Sequence, residues 1–221
     1  MMARAGALFQ KVLKSPRLVQ AAMDRLIPDI AGEGMARADV IIEAIFENLN
    51  VKRALFKEIE ARAKPEALIA TNTSSIPLEE IAEVLKNPER LVGIHFFNPV
   101  SKMELVEIVR GNKTTEAICQ RACSFVAQIK KLPLPVKSSP GFLVNRVLMP
   151  YLMAAVSLLE EGHAAEQIDA SAKHFGMMMG PVELADTVGL DVCLAVAENL
   201  VSHFGGHVPT ILRDKVKQKH L

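Results

Sequence analysis

The chain has 221 residues, of which 50% are hydrophobic and 23% charged; this supports one large or two small folded domains and excludes a disordered protein. Its formal net charge of +1 argues against nucleic acid or an acidic membrane surface as the main partner. No window of roughly 18 uncharged apolar residues occurs, so no membrane span is predicted, and the short apolar stretch at the N-terminus does not fit a signal peptide.

Apolar periodicity predicts alternating helices and strands in the first part of the chain. Helical spacing covers residues 4–26 and is interrupted at Ser15-Pro16, which can cap and begin a second helix. The run Asp39–Ile45 is apolar enough for a buried strand, and Asn48 can cap a helix that continues to Ala63.

The same alternation continues as far as residue 110. A second buried strand is predicted at Leu68–Thr73 and a short helix at Leu78–Leu85; two further apolar strands then contain His95 and Glu107. Buried strands that alternate with helices are typical of an α/β fold with a largely parallel sheet.

The character of the sequence changes near Ser138. A helix is predicted at Thr114–Lys131, and Leu132–Ser138 contains two prolines, as an edge strand can. Beyond this point the pattern is helical, over residues 142–160, 164–175 and 182–204. We therefore predict an α/β domain at residues 1–137 and a helical domain at residues 138–221.

His95 and Glu107 provide a site hypothesis. Both lie in strands predicted to be buried on both faces, where an unpaired charge is costly, so the simplest arrangement pairs them with each other. A carboxylate that holds one ring nitrogen leaves the other free to act as a base. Taken alone, His95 is more simply a hydrogen-bonded core histidine. The rival carboxylate, Glu104, belongs to the opposite strand face from Glu107 and is expected to be structural.

Neither the cysteines nor the other histidines are spaced as metal ligands, so no metal site is predicted. The three cysteines are Cys119, Cys123 and Cys193, and we expect buried structural thiols. An odd number of cysteines suits a reducing compartment, and we expect a cytoplasmic protein.

Four motifs, in their order and spacing, resemble the L-3-hydroxyacyl-CoA dehydrogenases. They are ADVIIEAIFENL at 38–49, TNTSS at 71–75, HFFNP at 95–99 and SPGFLVNR at 139–146. Residues 180–191 continue the resemblance, which covers essentially the whole chain and is greatest to the dehydrogenase part of the bacterial multifunctional fatty-acid oxidation α-subunits. Together the four motifs are highly specific.

The resemblance implies a Rossmann-type NAD-binding domain followed by part of an all-helical domain of the 6-phosphogluconate dehydrogenase type. It implies NAD-dependent oxidation of (3S)-3-hydroxyacyl-CoA to 3-oxoacyl-CoA in fatty-acid β-oxidation. The implied partners are the acyl-CoA substrate and either further copies of the chain or a larger fatty-acid oxidation complex. A related β-hydroxyacid dehydrogenase is an alternative, which the His95–Glu107 pair disfavours because those enzymes use a lysine base.

The resemblance also assigns roles to single residues. His95 would remove the hydroxyl proton, and Glu107 would orient the imidazole and stabilise its cation. The remaining roles are substrate contacts for Ser74, Asn98 and Asn145, and cofactor contacts for Glu47, Lys52, Ser74 and Asn98.

Simpler interpretations of some of these residues stay open. Ser75 is a rival to Ser74, and a turn-capping role explains it equally well. Asn98, which precedes a proline, can be a turn former. Glu47 and Lys52 can be the solvated start of a helix.

One element of the family pattern is missing from the sequence, the G-x-G-x-x-G turn between a strand and a helix that carries the NAD pyrophosphate. The nearest match, Gly32–Arg37, has arginine at the third glycine position and is followed by a predicted strand, so we interpret it as a loop. We therefore expect an internal fragment with an incomplete Rossmann-type domain and a partial helical domain. A non-catalytic folded or oligomerising fragment is the second hypothesis.

Overall fold

The computed structural model describes residues 2–218, which contain five strands and ten α-helices. The strands are β1 (Val40–Glu43), β2 (Leu68–Thr71), β3 (Leu91–Phe96), β4 (Leu105–Arg110) and β5 (Leu132–Lys137). The helices are α1 (Met2–Leu13), α2 (Pro16–Met23), α3 (Leu49–Arg62), α4 (Leu78–Ala82), α5 (Glu116–Gln128), α6 (Val144–Glu160), α7 (Ala165–Phe175), α8 (Pro181–Val188), α9 (Leu190–Phe204) and α10 (Thr210–Lys217). All strands precede α6, so the predicted α/β fold with a helical C-terminal part is confirmed.

The five strands form one sheet in the order β1-β2-β3-β4-β5. Neighbouring strands are parallel except for the antiparallel pair β3–β4, which confirms the largely parallel sheet. The carboxyl ends of β1, β2 and β3 therefore meet at one edge, which is where α/β sheets place their ligand sites. In the antiparallel pair, His95 lies directly opposite Glu107.

Helices cover both faces of the sheet. One face packs against α5, with a core of Leu68, Ala70, Val92, Ile94, Val106, Ile108, Ile118, Ala122 and Val126. The other face packs against α3 and α4, with a core of Phe56, Ile59, Ile69, Leu78, Ile81, Leu91, Val109 and Phe142. Because side chains alternate along a strand, His95 lies on the face of Leu91, and Glu107 on the face of Val109. Both site residues thus point toward the α3/α4 layer and toward Phe142.

Close approach of β3 and β4 on this face depends on Gly93. Gly93 lies opposite Val109, and a Cβ atom added to Gly93 would lie 2.6 Å from the Cβ of Val109. A larger residue would therefore force apart the two strands that carry His95 and Glu107.

The two outer strands differ in character. The predicted edge strand is β5, whose Pro133 and Pro135 cost few ladder hydrogen bonds because β4 is its one neighbour within residues 2–218. At the other edge, no strand among residues 2–218 pairs with the outer side of β1. Its Val40, Ile41 and Ile42 are only half-buried.

Helices α1 and α2 pack against each other as a hairpin. The predicted interruption is confirmed, since α1 ends at Leu13 and α2 begins at Pro16. Ser15 is the N-cap residue of α2, as predicted, and has an extended backbone, although its side chain makes no capping hydrogen bond. Asn48 does cap α3, by accepting the Val51 N–H at 3.1 Å.

In the helical part, α6 packs against α8, α9 and α10 around a common core. The members of this core include Met149, Leu152, Val156, Ala185, Cys193, Val196 and Leu200. The single helix predicted at 182–204 is wrong, because Gly189 has a φ of 102° and separates α8 from α9. That conformation suits glycine and ends a helix. Helix α10, which follows Pro209, was not predicted.

Candidate active site

The side chains of His95 and Glu107 are paired inside the protein. His95 Nδ1 lies 2.8 Å from Glu107 Oε2, and the two residues are 5% and 0% exposed. An ionised carboxylate can only accept, so the imidazole hydrogen is assigned to Nδ1 and the lone pair to Nε2. Within residues 2–218, no hydrogen bond involves Nε2. The pairing predicted from the sequence is present, and its geometry leaves one basic nitrogen free.

The second oxygen of Glu107 is bound by the start of α6. Glu107 Oε1 accepts the backbone N–H groups of Leu143 at 3.0 Å and of Val144 at 2.9 Å. The first N–H groups of a helix have no partner within the helix and favour a negative charge. Three donors therefore converge on Glu107, and the carboxylate links the sheet to the helical part of the chain.

Aromatic rings fix the plane of the His95 imidazole. Phe97 packs edge-to-face at a centroid distance of 4.6 Å, and Phe142 does so at 5.7 Å. Phe142 is buried and belongs to the motif at 139–146. The imidazole is held by one carboxylate and two apolar rings, as a positioned base requires.

Asn72 joins the carboxyl ends of the parallel strands. Its Oδ1 accepts the Phe96 N–H at 2.9 Å, and its own N–H donates to the Glu43 carbonyl at 2.8 Å. Asn72 thus fixes the end of β3 next to His95. Asn72 was not predicted to have a role, although its position as the first residue after β2, within the TNTSS motif, indicates one.

Glu47 organises the turn after β2. Its Oε1 accepts the hydroxyl of Thr73, the N–H of Ser74 at 3.1 Å and the hydroxyl of Ser75 at 3.1 Å. Burial alone would raise the pKa of the Glu47 carboxyl, but the Thr73 hydrogen bond and the charge of Lys52 hold that pKa below its usual value. Glu47 is therefore ionised at neutral pH, with 38% of its side chain exposed.

Lys52 is a buried member of the same network. It is 1% exposed, and its Nζ lies 2.7 Å from Glu43 Oε1 and 3.3 Å from Glu47 Oε2. The interpretation of Lys52 as the solvated start of a helix is therefore wrong. Glu43 was missed in the sequence analysis, but the signal was there: a carboxylate in an apolar strand needs a buried partner.

The other predicted residues lie around these two networks without bonding to His95. Ser74 is half-buried, Asn98 is exposed after β3, and Asn145 is half-buried in the first turn of α6. No hydrogen bond among residues 2–218 joins these three side chains to the His95–Glu107 pair. Glu104 is exposed before β4 and takes no part in the pair, as expected.

The Gly32–Arg37 segment does not form a phosphate-binding turn. Residues Glu33–Ala36 form a short 3-10 helix, and β1 follows. The N–H groups of Glu33 and Gly34 already donate to the Asp29 carboxylate, at 3.0 and 2.6 Å. Because these amides are occupied, they cannot cradle a pyrophosphate. At the carboxyl edge of β1–β3, the partly exposed Glu47 carboxylate and the half-buried Ser74 hydroxyl offer polar groups of the kind that bind a ligand hydroxyl.

Residues 2–218 hold no cluster of three or more His, Cys, Asp or Glu side chains placed to bind a metal ion. None of the described helices is long and apolar enough to cross a membrane.

The chain matches two family models and several known proteins. Residues 2–139 match "3-hydroxyacyl-CoA dehydrogenase, NAD binding domain", and residues 141–221 match "3-hydroxyacyl-CoA dehydrogenase, C-terminal domain". The fatty acid oxidation complex subunit alpha of Psychrobacter cryohalolentis is 40% identical over 207 residues, which is 92% of this chain and 29% of that protein. The subunit of Vibrio campbellii is 38% identical over 202 residues, which is 90% of this chain and 29% of that protein.

Solved structures show the same relationship. M. tuberculosis FadB2 superimposes with a TM-score of 0.93 at 31% identity, covering 99% of this chain and 80% of that one. The 3-hydroxybutyryl-CoA dehydrogenase of Escherichia coli gives 0.88 at 38% identity, covering 99% of this chain and 48% of that one. The chain spans 29% of the length of the curated relatives named above. With family models matched across both of its parts, the chain belongs to the 3-hydroxyacyl-CoA dehydrogenase family.

Proposed function

We propose that this chain carries the proton-transfer site of an NAD-dependent dehydrogenase that oxidises (3S)-3-hydroxyacyl-CoA to 3-oxoacyl-CoA in fatty-acid β-oxidation. One observation carries the proposal: the buried His95–Glu107 pair leaves His95 Nε2 free as a base beside the carboxyl edge of the sheet. The pair also favours this reaction over that of a related β-hydroxyacid dehydrogenase with a lysine base.

His95 accepts the proton of the substrate 3-hydroxyl at Nε2 and becomes an imidazolium. Its Nδ1–H remains bonded to Glu107, whose negative charge stabilises that cation. The α6 N–H groups hold the other carboxylate oxygen, so Glu107 does not rotate when the charge appears. NAD, when bound, supplies the acceptor for the hydride that leaves C3 of the substrate.

Polar groups around His95 are proposed to hold the substrate and cofactor. The Ser74 hydroxyl and the Asn145 amide bind the substrate oxygens, and Asn98 binds near His95. Glu47, Lys52, Ser74 and Asn98 form the cofactor side of the site. The support is their position: the Ser74 hydroxyl has no partner among residues 2–218, and Asn145 directly follows Val144, which binds Glu107.

A stereochemical assay tests the function. The chain is mixed in excess with (3S)-3-hydroxybutyryl-CoA at millimolar NAD, and NADH formation is followed by absorbance. The (3S) substrate is expected to react and the (3R) enantiomer is the matched control. Equal reaction of the two, or none with either, would contradict the proposed function.

We expect the 221-residue chain to bind NAD weakly. The sequence has no G-x-G-x-x-G motif, and in the nearest match the amides of Glu33 and Gly34 are occupied by Asp29, so this segment cannot supply the N–H groups that cradle a pyrophosphate. Titration calorimetry measures this affinity directly, with ADP-ribose as a second ligand that isolates the pyrophosphate half. A micromolar dissociation constant for NAD would contradict the prediction.

We also propose that copies of this chain associate. The outer edge of β1 is unpaired within residues 2–218 and carries half-buried Val40, Ile41 and Ile42, and such edges pair with further strands. The prediction is a mass above that of one chain in light scattering coupled to size-exclusion chromatography, rising with concentration. A monodisperse monomer with a cooperative melt would show that the chain closes its own core.

We also propose membership of a larger fatty-acid oxidation complex and a cytoplasmic location. The curated relatives are named as alpha subunits of such a complex. The three cysteines are free; Cys119 and Cys193 are buried and Cys123 half-buried, and burial raises the pKa of the Cys193 thiol to about 11. Unreactive free thiols suit a reducing compartment.

A further inference from the structure

Glu43 is a buried carboxylate that none of the proposed roles uses. It ends β1 with 3% of its surface exposed. Its oxygens accept the Ile45 N–H at 2.6 Å, the Lys52 ammonium at 2.7 Å and the Thr71 hydroxyl at 2.7 Å. These three donors hold the Glu43 side chain in one position. Groups that are bonded to Lys52 and Thr71 are therefore held in place as well.

One route leads from Glu43 through Thr71 to the turn after β2. The Thr71 hydroxyl gives its only proton to Glu43 Oε2, so its oxygen is left to accept. It accepts the Thr73 N–H at 3.2 Å. Glu43 thereby sets the direction of the Thr71 hydroxyl and, through it, the start of the Thr73–Ser75 loop.

A second route leads through Lys52 and Glu47. The Lys52 ammonium donates hydrogen bonds to Glu43 Oε1 at 2.7 Å and to the Ile45 carbonyl at 3.5 Å, and it forms an ion pair with Glu47 Oε2 at 3.3 Å. Glu47 in turn binds the hydroxyls of Thr73 and Ser75 and the Ser74 N–H. The buried cation is therefore paired with two carboxylates of the protein, Glu43 and Glu47.

We propose that Glu43 is a positioning residue that fixes the Thr73–Ser75 loop through Thr71 and through Lys52, so that the Ser74 hydroxyl is presented to the acyl-CoA. This hydroxyl is the one side-chain oxygen of the loop without a partner among residues 2–218. Lys52 serves to hold Glu47, the exposed carboxylate on the cofactor side of the site. The role toward acyl-CoA rests on the proposed function, whereas the positioning of the loop does not.

Hydrogen exchange of single amides, measured by NMR on the full chain, tests the positioning. In Glu43→Gln, Lys52 loses the nearer of its two charged partners. The amides of Thr73 and Ser74 are then expected to exchange roughly tenfold faster or more, as for loss of charge-assisted hydrogen bonds. Amides in β3 are expected to keep their exchange rates. Acetoacetyl-CoA is expected to bind more weakly to the variant.

A double variant separates positioning from folding. Glu43→Gln combined with Lys52→Met removes both buried charges, and such neutral replacement is often tolerated by the fold. We expect a cooperative melt with fast exchange at Thr73 and Ser74. Thr71→Val keeps the shape of the side chain and breaks only the route from Glu43 through Thr71. If both Glu43 variants fail to fold, the exchange rate of the Thr73 amide in Thr71→Val still tests that route.

Glu60→Gln is the matched control. Glu60 lies on α3, as Lys52 does, and accepts the N–H groups of Lys86 at 2.9 Å and of Asn87 at 2.7 Å. Its loss is expected to speed exchange at those two amides and not at Ser74. The same control variant shows whether loss of any carboxylate near α3 loosens the loop.

The outcomes are distinct. Unchanged exchange at Thr73 and Ser74 in the folded double variant, or at Thr73 in Thr71→Val, would overturn the positioning role of Glu43. If the variants exchange faster but the wild-type chain does not bind acetoacetyl-CoA, the proposed function is overturned and the positioning role stays supported. Faster exchange together with weaker acetoacetyl-CoA binding supports both.

Discussion

Replacing His95 with alanine is expected to lower turnover of (3S)-3-hydroxyacyl-CoA about 10²–10⁴-fold, the usual effect of removing a general base. His95 Nε2 is the free nitrogen of a buried, oriented imidazole, and within residues 2–218 no other histidine is paired in this way with a buried carboxylate. Affinity for acetoacetyl-CoA is expected to change little, because the proposed substrate contacts are made by Ser74 and Asn145. Single-turnover rates and calorimetric titrations measure the two quantities separately.

The alanine variant is also expected to be less stable. It leaves Glu107 Oε2 without its donor at a site that is 0% exposed, which costs about 1–3 kcal/mol. His95→Gln supplies an N–H donor in nearly the same place, so it is expected to regain stability without regaining turnover. His163→Ala, at an exposed position after α6, is the control. Near-normal turnover in His95→Ala or His95→Gln would show that another group is the base.

Much of this architecture was predictable because burial leaves a signature in the sequence. Four apolar runs and one proline-containing run became β1–β5, since strands inside a covered sheet must be apolar on both faces. His95 and Glu107 broke two of those runs, and a buried charge needs a partner, so their pairing followed from the sequence alone. The same argument applied to Glu43 in β1 would have found Lys52.

Other features depend on where distant segments meet. The N–H groups of Leu143 and Val144 reach Glu107 only because α6 begins beside β4, and no local pattern indicates that placement. The break at Gly189 was missed because the apolar spacing of α8 continues in phase into α9. Glycine within a helical pattern is tolerated at modest cost, so periodicity could not distinguish a break from a continuous helix.

Glu107→Gln is expected to lower turnover about 10²–10⁴-fold while the protein stays folded. Glu107 faces three N–H donors: His95 Nδ1 and the amides of Leu143 and Val144. A glutamine has one accepting oxygen and one donating NH₂ group. If the oxygen keeps the two α6 amides, the NH₂ group faces His95 Nδ1, which must then accept. The imidazole hydrogen moves to Nε2, and the base is lost through the wrong tautomer.

Glu107→Ala separates this tautomer effect from loss of structure. Alanine leaves the N–H groups of Leu143 and Val144 and the His95 Nδ1–H without an acceptor, at about 1–3 kcal/mol for each group that stays buried. We expect Glu107→Ala to melt well below the wild type and Glu107→Gln to melt close to it. Nitrogen-15 NMR of His95 reads the tautomer directly, and it should show hydrogen at Nδ1 in the wild type and at Nε2 in Glu107→Gln. If the glutamine variant kept its hydrogen at Nδ1 and still lost turnover, Glu107 would act through its charge on the imidazolium and not through the tautomer it imposes.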